Sequence, residues 1–193
     1  ILHQLTGRWV TEWSMASATG LLDIHQQRWD EQALKIAHVD ADQLPRPVRP
    51  ASIVGQVTAG AAQATGLPVG LPVIAGASDG ALANVGAVGG DSHELVITVG
   101  TTAAVRRIVR KPTLDARRRS WCYIVDADRW LSGAAMNNGG AALAHCPETI
   151  SHDDAAIAAV PPGSEGLMVL PFVHGERDLI WPHDVTWTAL GRD

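Results

Sequence analysis

The stretch Leu71–Gly86, LPVIAGASDGALANVG, decides how the rest of the chain is read. Its apolar start, Leu71–Ala75, reads as a short buried strand, and Gly76–Gly80 is too rich in glycine to continue one. From Ala81 onward alanine, leucine and valine recur on one helical face. Strand, tight turn and helix therefore follow one another, with Asp79 exposed near the helix start. A carboxylate at that place is favoured by the unpaired N–H groups of the first turn and by the helix dipole. On these residues alone, Asp79 reads either as a helix cap or as a group available for chemistry.

Working outward, Glu94–Val99 (ELVITV) reads as a second apolar strand and Ala103–Val109 (AAVRRIV) as a third. Gly100-Thr101-Thr102 joins them as the turn of a hairpin. Such a turn offers backbone N–H groups and two hydroxyls, a combination that can hold a phosphate. A carboxylate and a candidate phosphate turn in one chain point to phosphoryl transfer.

Composition narrows the field. The 193 residues suffice for one ordinary domain or two small ones, and 46% hydrophobic content suffices for a core. A net charge of -5 argues against a nucleic-acid partner or an anionic membrane surface. Arg117-Arg118-Arg119, the densest basic cluster, stands beside Asp115 and reads as a solvated loop. Cys122 and Cys146 do not make a disulfide framework and fit a reducing compartment. The eight histidines are scattered, without zinc-site spacing. Neither an apolar run of about 18 residues nor a basic-then-apolar leader is present, so a cytoplasmic protein is expected.

Elsewhere, Ser14–Thr19 reads as a polar loop and Leu21–Ile24 as a short extended segment. Asp30–Ala37 reads as a helix capped by Asp30, Leu44–Pro50 as extended proline-rich chain, and Ala59–Thr65 as a helix ended by Gly66. Trp121–Val125 and Arg129–Ala134 form a second expected hairpin around Asp126-Ala127-Asp128. After Asn137-Asn138-Gly139-Gly140 an alanine-rich helical segment runs to Cys146. Two glycines there let backbone approach a ligand closely. Asp153–Val160 is expected to be helical and Leu167–Pro171 extended, with Glu176 and Arg177 making surface or interlobe polar contacts. The glycine-rich segment Gly86–Asp91 marks a domain boundary near Gly90, dividing the chain into residues 1–90 and 91–193.

Six stretches, SMASATGLLDI, GASDGALANVGA, ITVGTTAAVR, CYIVDADRW, NNGG and LPFVHGER, resemble the FGGY carbohydrate kinases, in the family's order and with similar spacing. Within that family the similarity is strongest to gluconate kinases. The resemblance implies an α/β, actin-like ATPase (ribonuclease-H-like) fold with parts of two lobes, each a mixed sheet flanked by helices. Residues 1–90 would belong to the sugar-binding lobe and 91–193 to the nucleotide-binding lobe. It also implies ATP as phosphoryl donor, Mg2+ as its companion ion, and a sugar or sugar acid as acceptor. Asp79 matches the family's catalytic carboxylate, which takes the proton of the attacking hydroxyl and touches the substrate. Gly100, Thr101 and Thr102 match the second-lobe phosphate loop; Gly139 and Gly140 match glycines that lie against the nucleotide. Ser17 and Thr19 fall in a family-typical loop on the sugar side.

This sequence also departs from the family's pattern. The family's first phosphate loop, an Asp-Gly-Thr element, and its C-terminal glycine-rich segment are absent from these residues. Ala144-His145 stands where the family usually has Gln-Trp, and Thr186-Trp187 where it has Arg-Gly. If sheets are left without partners, edge strands and apolar faces stay uncovered, and the chain is expected to be marginal unless it oligomerises or those segments come from elsewhere; a homodimer is one such arrangement. Gluconate is the expected acceptor, with xylulose or another pentulose as the alternative. Outside catalysis, the alternatives are an inactive paralogue serving as a binding module and a polymerising actin-like protein.

Overall fold

The computed structural model describes residues 1–89, 94–145, 153–173, 175–176, 186 and 188–191. The boundary expected near Gly90, together with Cys146, Arg177 and Trp181, lies outside the described residues. The chain forms two compact units. The first comprises Ile1–Val96, Arg106–Leu114 and Trp121–Ser132, and the second Ile97–Val105, Asp115–Ser120 and Gly133–Asp193.

In chain order the elements begin α1 (Leu2–Thr6), β1 (Val10–Glu12), α2 (Trp13–Ala18), β2 (Leu22–Asp23), β3 (Arg28–Trp29) and α3 (Glu31–Ala37). They continue with β4 (Arg46–Val48), β5 (Ile53–Gln56), α4 (Ala59–Thr65), β6 (Pro72–Ile74) and α5 (Asp79–Val88). The strands β7 (Val96–Val99), β8 (Ala103–Val109), β9 (Trp121–Ile124) and β10 (Trp130–Met136) follow. The remainder is α6 (Asp154–Ala159), β11 (Met168–Leu170) and β12 (Thr188–Leu190), with short 3-10 turns between.

Both parallel and antiparallel pairing occur. β1 runs parallel to β4 with Val10 opposite Arg46, whereas β2–β3, β5–β6 and β11–β12 are antiparallel. The largest sheet has the order β7-β8-β10-β9, which contains both expected hairpins. Its edge strand β7 carries Ile97 and Val99, each 66% exposed.

Local chemistry sets the helix ends. Asp30 caps α3 by accepting from the Ala33 N–H at 2.7 Å, as expected. Thr58 starts α4, and Gly66 ends it at φ 77°, a left-handed conformation that costs glycine little. α5 begins two residues before the expected Ala81, because Ser78 caps it. β6 occupies the expected place but is not buried: Leu71 is 41% and Ile74 58% exposed, and of this run only Ala75 is buried.

The larger correction is α2. Ser14–Thr19 was expected to be a loop, yet Trp13–Ala18 is helical. Glu12 supplies the missing cap, its carboxylate accepting from the Ser14 N–H at 2.5 Å and the Met15 N–H at 2.9 Å. Small residues then let the helix sit deep: Ser14, Ala16 and Ser17 are all buried. Ala16 joins Leu22, Ile24, Ile124 and Trp130 in one apolar cluster of the first unit. A second cluster sets Ala81 of α5 against Ile108, Val125 and Leu131, anchoring that helix to strands β8 and β10 and the residue after β9.

Burial pushes the Glu12 carboxyl above its ordinary value of 4.5, outweighing the two N–H groups that favour the ionised form. The folded state thus keeps this proton to higher pH than the unfolded chain does. The contribution to stability is full below the ordinary value and is lost as pH rises through the folded one. Urea unfolding followed from about pH 4 to about pH 7 should show that decline, and Glu12→Gln should flatten it.

Candidate functional site

In the first unit the site is the turn that opens α5. The Ser78 N–H donates to Ser14 Oγ at 3.0 Å, and Ser14 Oγ lies 3.1 Å from Ser78 Oγ. Ser78 Oγ also accepts from the Ala81 N–H at 3.4 Å. Because Ser78 caps the helix, Asp79 is left as its first residue, exposed, with one carboxylate oxygen accepting from the Gly80 N–H at 2.6 Å. The cap reading of Asp79 is thereby replaced: the neighbouring serine does that work. Beneath it the buried Asn84 donates its side-chain amide to the Gly80 carbonyl at 2.9 Å. Tyr123 of β9 brings its hydroxyl beside Gly80, where an added Cβ would meet it at 3.0 Å, and burial pushes that phenol above its ordinary value.

Ser17 and Thr19 use their hydroxyls internally. Ser17 Oγ donates to the Ser14 carbonyl and accepts from the Ile124 N–H, both at 2.9 Å, and is buried. Thr19 Oγ1 donates to the Ala16 carbonyl at 2.6 Å and accepts from the Leu21 N–H at 3.1 Å. Ser17 therefore links α2 to the end of β9, and Thr19 closes the helix.

In the second unit the structure brings together Gly100, Thr101, Thr102, Gly139 and Gly140. The Gly100 N–H donates to the Thr102 carbonyl at 2.9 Å, closing the turn on itself. Gly140 N–H donates to the Gly100 carbonyl at 2.6 Å, while Gly139 and Ala141 donate to the Thr101 carbonyl at 3.1 and 3.2 Å. A Cβ on Gly139 would stand 2.5 Å from the Thr102 carbonyl carbon and oxygen, and one on Gly140 2.9 Å from the Gly100 oxygen. The close approach that two glycines permit is thus made to the turn, and the N–H groups of residues 139–141 are already occupied. The Thr101 and Thr102 hydroxyls remain exposed, with no hydrogen-bond partner among the described residues.

Glu176 and Asn138 hold the other side of this assembly. Both Glu176 carboxylate oxygens accept from the Asn137 N–H at 3.0 Å, and one accepts from Asn138 Nδ2 at 3.3 Å. Asn138 Nδ2 also donates to the Gly175 carbonyl at 2.7 Å, and its Oδ1 accepts from the Val173 N–H at 3.0 Å. Glu176 is only 4% exposed, so its expected place at the surface is corrected. A buried carboxylate needs such partners, and these lie 38 and 39 residues earlier in the chain, beyond the reach of local pattern. The alanine-rich segment that follows is a 3-10 turn, Gly140–His145.

Among the described residues no three His, Cys, Asp or Glu side chains gather as a metal cage, and no helix is long and apolar enough to cross a membrane.

Residues 1–86 match the N-terminal domain of the FGGY family of carbohydrate kinases. Gluconokinase of Bacillus subtilis (strain 168) is 32% identical across 99% of this chain, which covers 40% of that relative. The chain belongs to the FGGY family of carbohydrate kinases. The gluconate kinase structure from Lactobacillus acidophilus superposes with a TM-score of 0.86 at 30% identity, over all of this chain and 40% of that one. The ligand-bound xylulose kinase from the same organism gives 0.84 at 31% identity, over 100% of this chain and 41% of that one. The chain thus spans about 40% of the length of the relatives it matches. Its fold is the actin-like ATPase fold of these FGGY sugar kinases, as expected.

The glycine packing gives a test with opposite signs. Gly139→Ala must push the Thr102 carbonyl aside and should cost about 1–3 kcal/mol in urea unfolding. Gly60→Ala on α4 meets open space and should gain about 0.5–1 kcal/mol.

Proposed function

We propose that this chain carries the central part of an ATP-dependent sugar-acid kinase that converts gluconate to 6-phosphogluconate, working in the cytoplasm. The observation that carries the reading is the 32% identity to a gluconokinase over 99% of the chain, which includes the Asp79 turn and the Gly100–Thr102 turn. Residues 1–90 are assigned to the sugar-binding lobe and 91–193 to the nucleotide-binding lobe.

Asp79 acts as the base. A sugar hydroxyl attacks the γ-phosphorus of ATP, the bond from that phosphorus to the β,γ-bridging oxygen breaks, ADP leaves, and the hydroxyl proton passes to the Asp79 carboxylate. Its exposure and single hydrogen bond to the adjacent N–H suit it to that task. A positioned base contributes about 10²–10⁴-fold; orientation and charge neutralisation supply more. Thr101 and Thr102 offer their free hydroxyls to the ATP phosphates. Gly139 and Gly140 act one step back, by fixing the turn that presents those hydroxyls. Mg2+ bound with ATP supplies charge neutralisation at the phosphates. Mg2+ keeps several waters and typically takes only one or two carboxylates, so the lack of a metal cage among the described residues is compatible with it.

Xylulose is the second reading, supported by the 0.84 TM-score and 31% identity of a xylulose kinase. ATP-dependent phosphorylation of gluconate, xylulose and glycerol by the purified protein distinguishes the two. Gluconate should show the highest kcat/KM, and Asp79→Asn should lower turnover about 10²–10⁴-fold. A preference for xylulose would overturn the gluconate assignment, and full turnover in Asp79→Asn would overturn the base.

A further inference from the structure

A cavity of about 330 Å³ opens in the first unit, between β4, β5, the start of α2 and the residues before β1. Arg8, Arg46 and Arg49 line it, and among its described lining residues there is no Asp or Glu. All of these arginines are exposed, and no hydrogen bond or ion pair joins their guanidinium groups to another described residue. Glu12, next to Trp13 in the chain, does not compensate them. It is buried and spends its carboxylate oxygens on the Ser14 and Met15 N–H groups. Like charges gathered without a counter-charge repel one another, and an anion entering the cavity relieves that repulsion.

Each arginine stands on fixed main chain. Arg46 belongs to β4, and its N–H donates to the Trp9 carbonyl at 3.1 Å. The Arg49 carbonyl accepts from Ser52 Oγ at 2.6 Å and from the Ser52 N–H at 3.4 Å, closing a turn in which Ala51 has φ 58°. The Arg8 N–H donates to Thr6 Oγ1 at 3.2 Å, directly after the left-handed Gly7 that ends α1. The wall between them is backed by core. Val48 and Val54 belong to the buried cluster that includes Ala75, and Trp13 packs on the cluster of Ala16, Leu22 and Ile24. Exposed cations beside an apolar wall suit a ligand with an anionic head and a carbon body.

We propose that this cavity binds a small phosphate monoester, a sugar phosphate by its size, at a site separate from the Asp79 turn. None of Ser78, Asp79 and Gly80 lines it, so the proposal does not depend on the reading of Asp79 as base. A phosphate monoester carries about −1.5 to −2 charge at neutral pH and three acceptor oxygens, so it engages more than one guanidinium. A carboxylate has one charge and two oxygens, which a single guanidinium fork satisfies. The volume lies near the lower end of the range of about 300–1,000 Å³ for small-molecule sites. The net charge of -5 opposes a nucleic acid as the source of the phosphate.

Isothermal titration of the purified protein, without ATP, with glucose 6-phosphate, inorganic phosphate and gluconate tests this. Glucose 6-phosphate should bind at least about tenfold more tightly than gluconate, and inorganic phosphate should compete with it. Arg46→Gln and Arg49→Gln should each weaken its binding about tenfold. The Tm should stay as it was, because both side chains are exposed and the main-chain bonds remain. Arg49→Lys keeps the charge without the fork and should fall between. Asp79→Asn should leave the binding unchanged. No binding of glucose 6-phosphate overturns the proposal, and so does binding that Arg46→Gln and Arg49→Gln leave intact. Binding lost in Asp79→Asn would put the ester at the Asp79 turn and overturn the separate site. Gluconate binding as tightly as the ester would make the cavity a carboxylate site and overturn the assignment to phosphate.

Discussion

Gly139 and Gly140 can lie on the Gly100–Thr102 turn only because neither carries a side chain: the nearest carbonyl atoms stand 2.5 Å and 2.9 Å from where their Cβ atoms would be. That contact organises the second unit. Three successive N–H groups of residues 139–141 donate to the Gly100 and Thr101 carbonyls, one to the first and two to the second. The threonine hydroxyls are left on the open side. On the far side of the glycines, Asn138 and the buried Glu176 tie the same loop to residues 173–176. A turn held in this way is arranged before any anion arrives, and donors placed in advance need no reorganisation when charge appears.

The Asp79 turn reaches the same end by side chains. Its cap belongs to Ser78, which is held in turn by Ser14 of a helix 64 residues earlier. Removing the capping duty from Asp79 leaves an exposed carboxylate as the first residue of the helix. The proposed proton abstraction from a sugar hydroxyl needs a carboxylate that is accessible in this way.

Local features of the sequence were enough for much of this. Asp30 with its helix, Ala59–Thr65 with its terminal Gly66, and the two hairpins follow from capping, glycine chemistry and apolar alternation within a few residues. The family also showed in short ordered motifs. The differences arise where partners are remote. Ser14–Thr19 has the composition of a loop, and becomes a helix because its hydroxyls are satisfied by Ser78 and by the Ile124 N–H, 64 and 107 residues away. Glu176 has the look of a surface charge, and is buried because Asn137 and Asn138 receive it. Ser78 and Asp79 are both good caps by type, and only the bond to Ser14 selects the serine. The two glycines after Asn138 do signal a close approach; that one is made to the Gly100–Thr102 backbone is a matter of tertiary packing.

The claim that the Gly100–Thr102 turn, proposed to meet the ATP phosphates, is assembled in advance is tested most directly by amide hydrogen exchange with and without Mg-ATP. The account predicts that Gly139, Gly140 and Ala141 are protected before nucleotide is added and change little afterwards. Thr101 and Thr102 should exchange freely at first and gain protection when Mg-ATP binds. Free exchange at residues 139–141 that becomes protected only with Mg-ATP would contradict it, showing that those N–H groups serve the nucleotide rather than the turn.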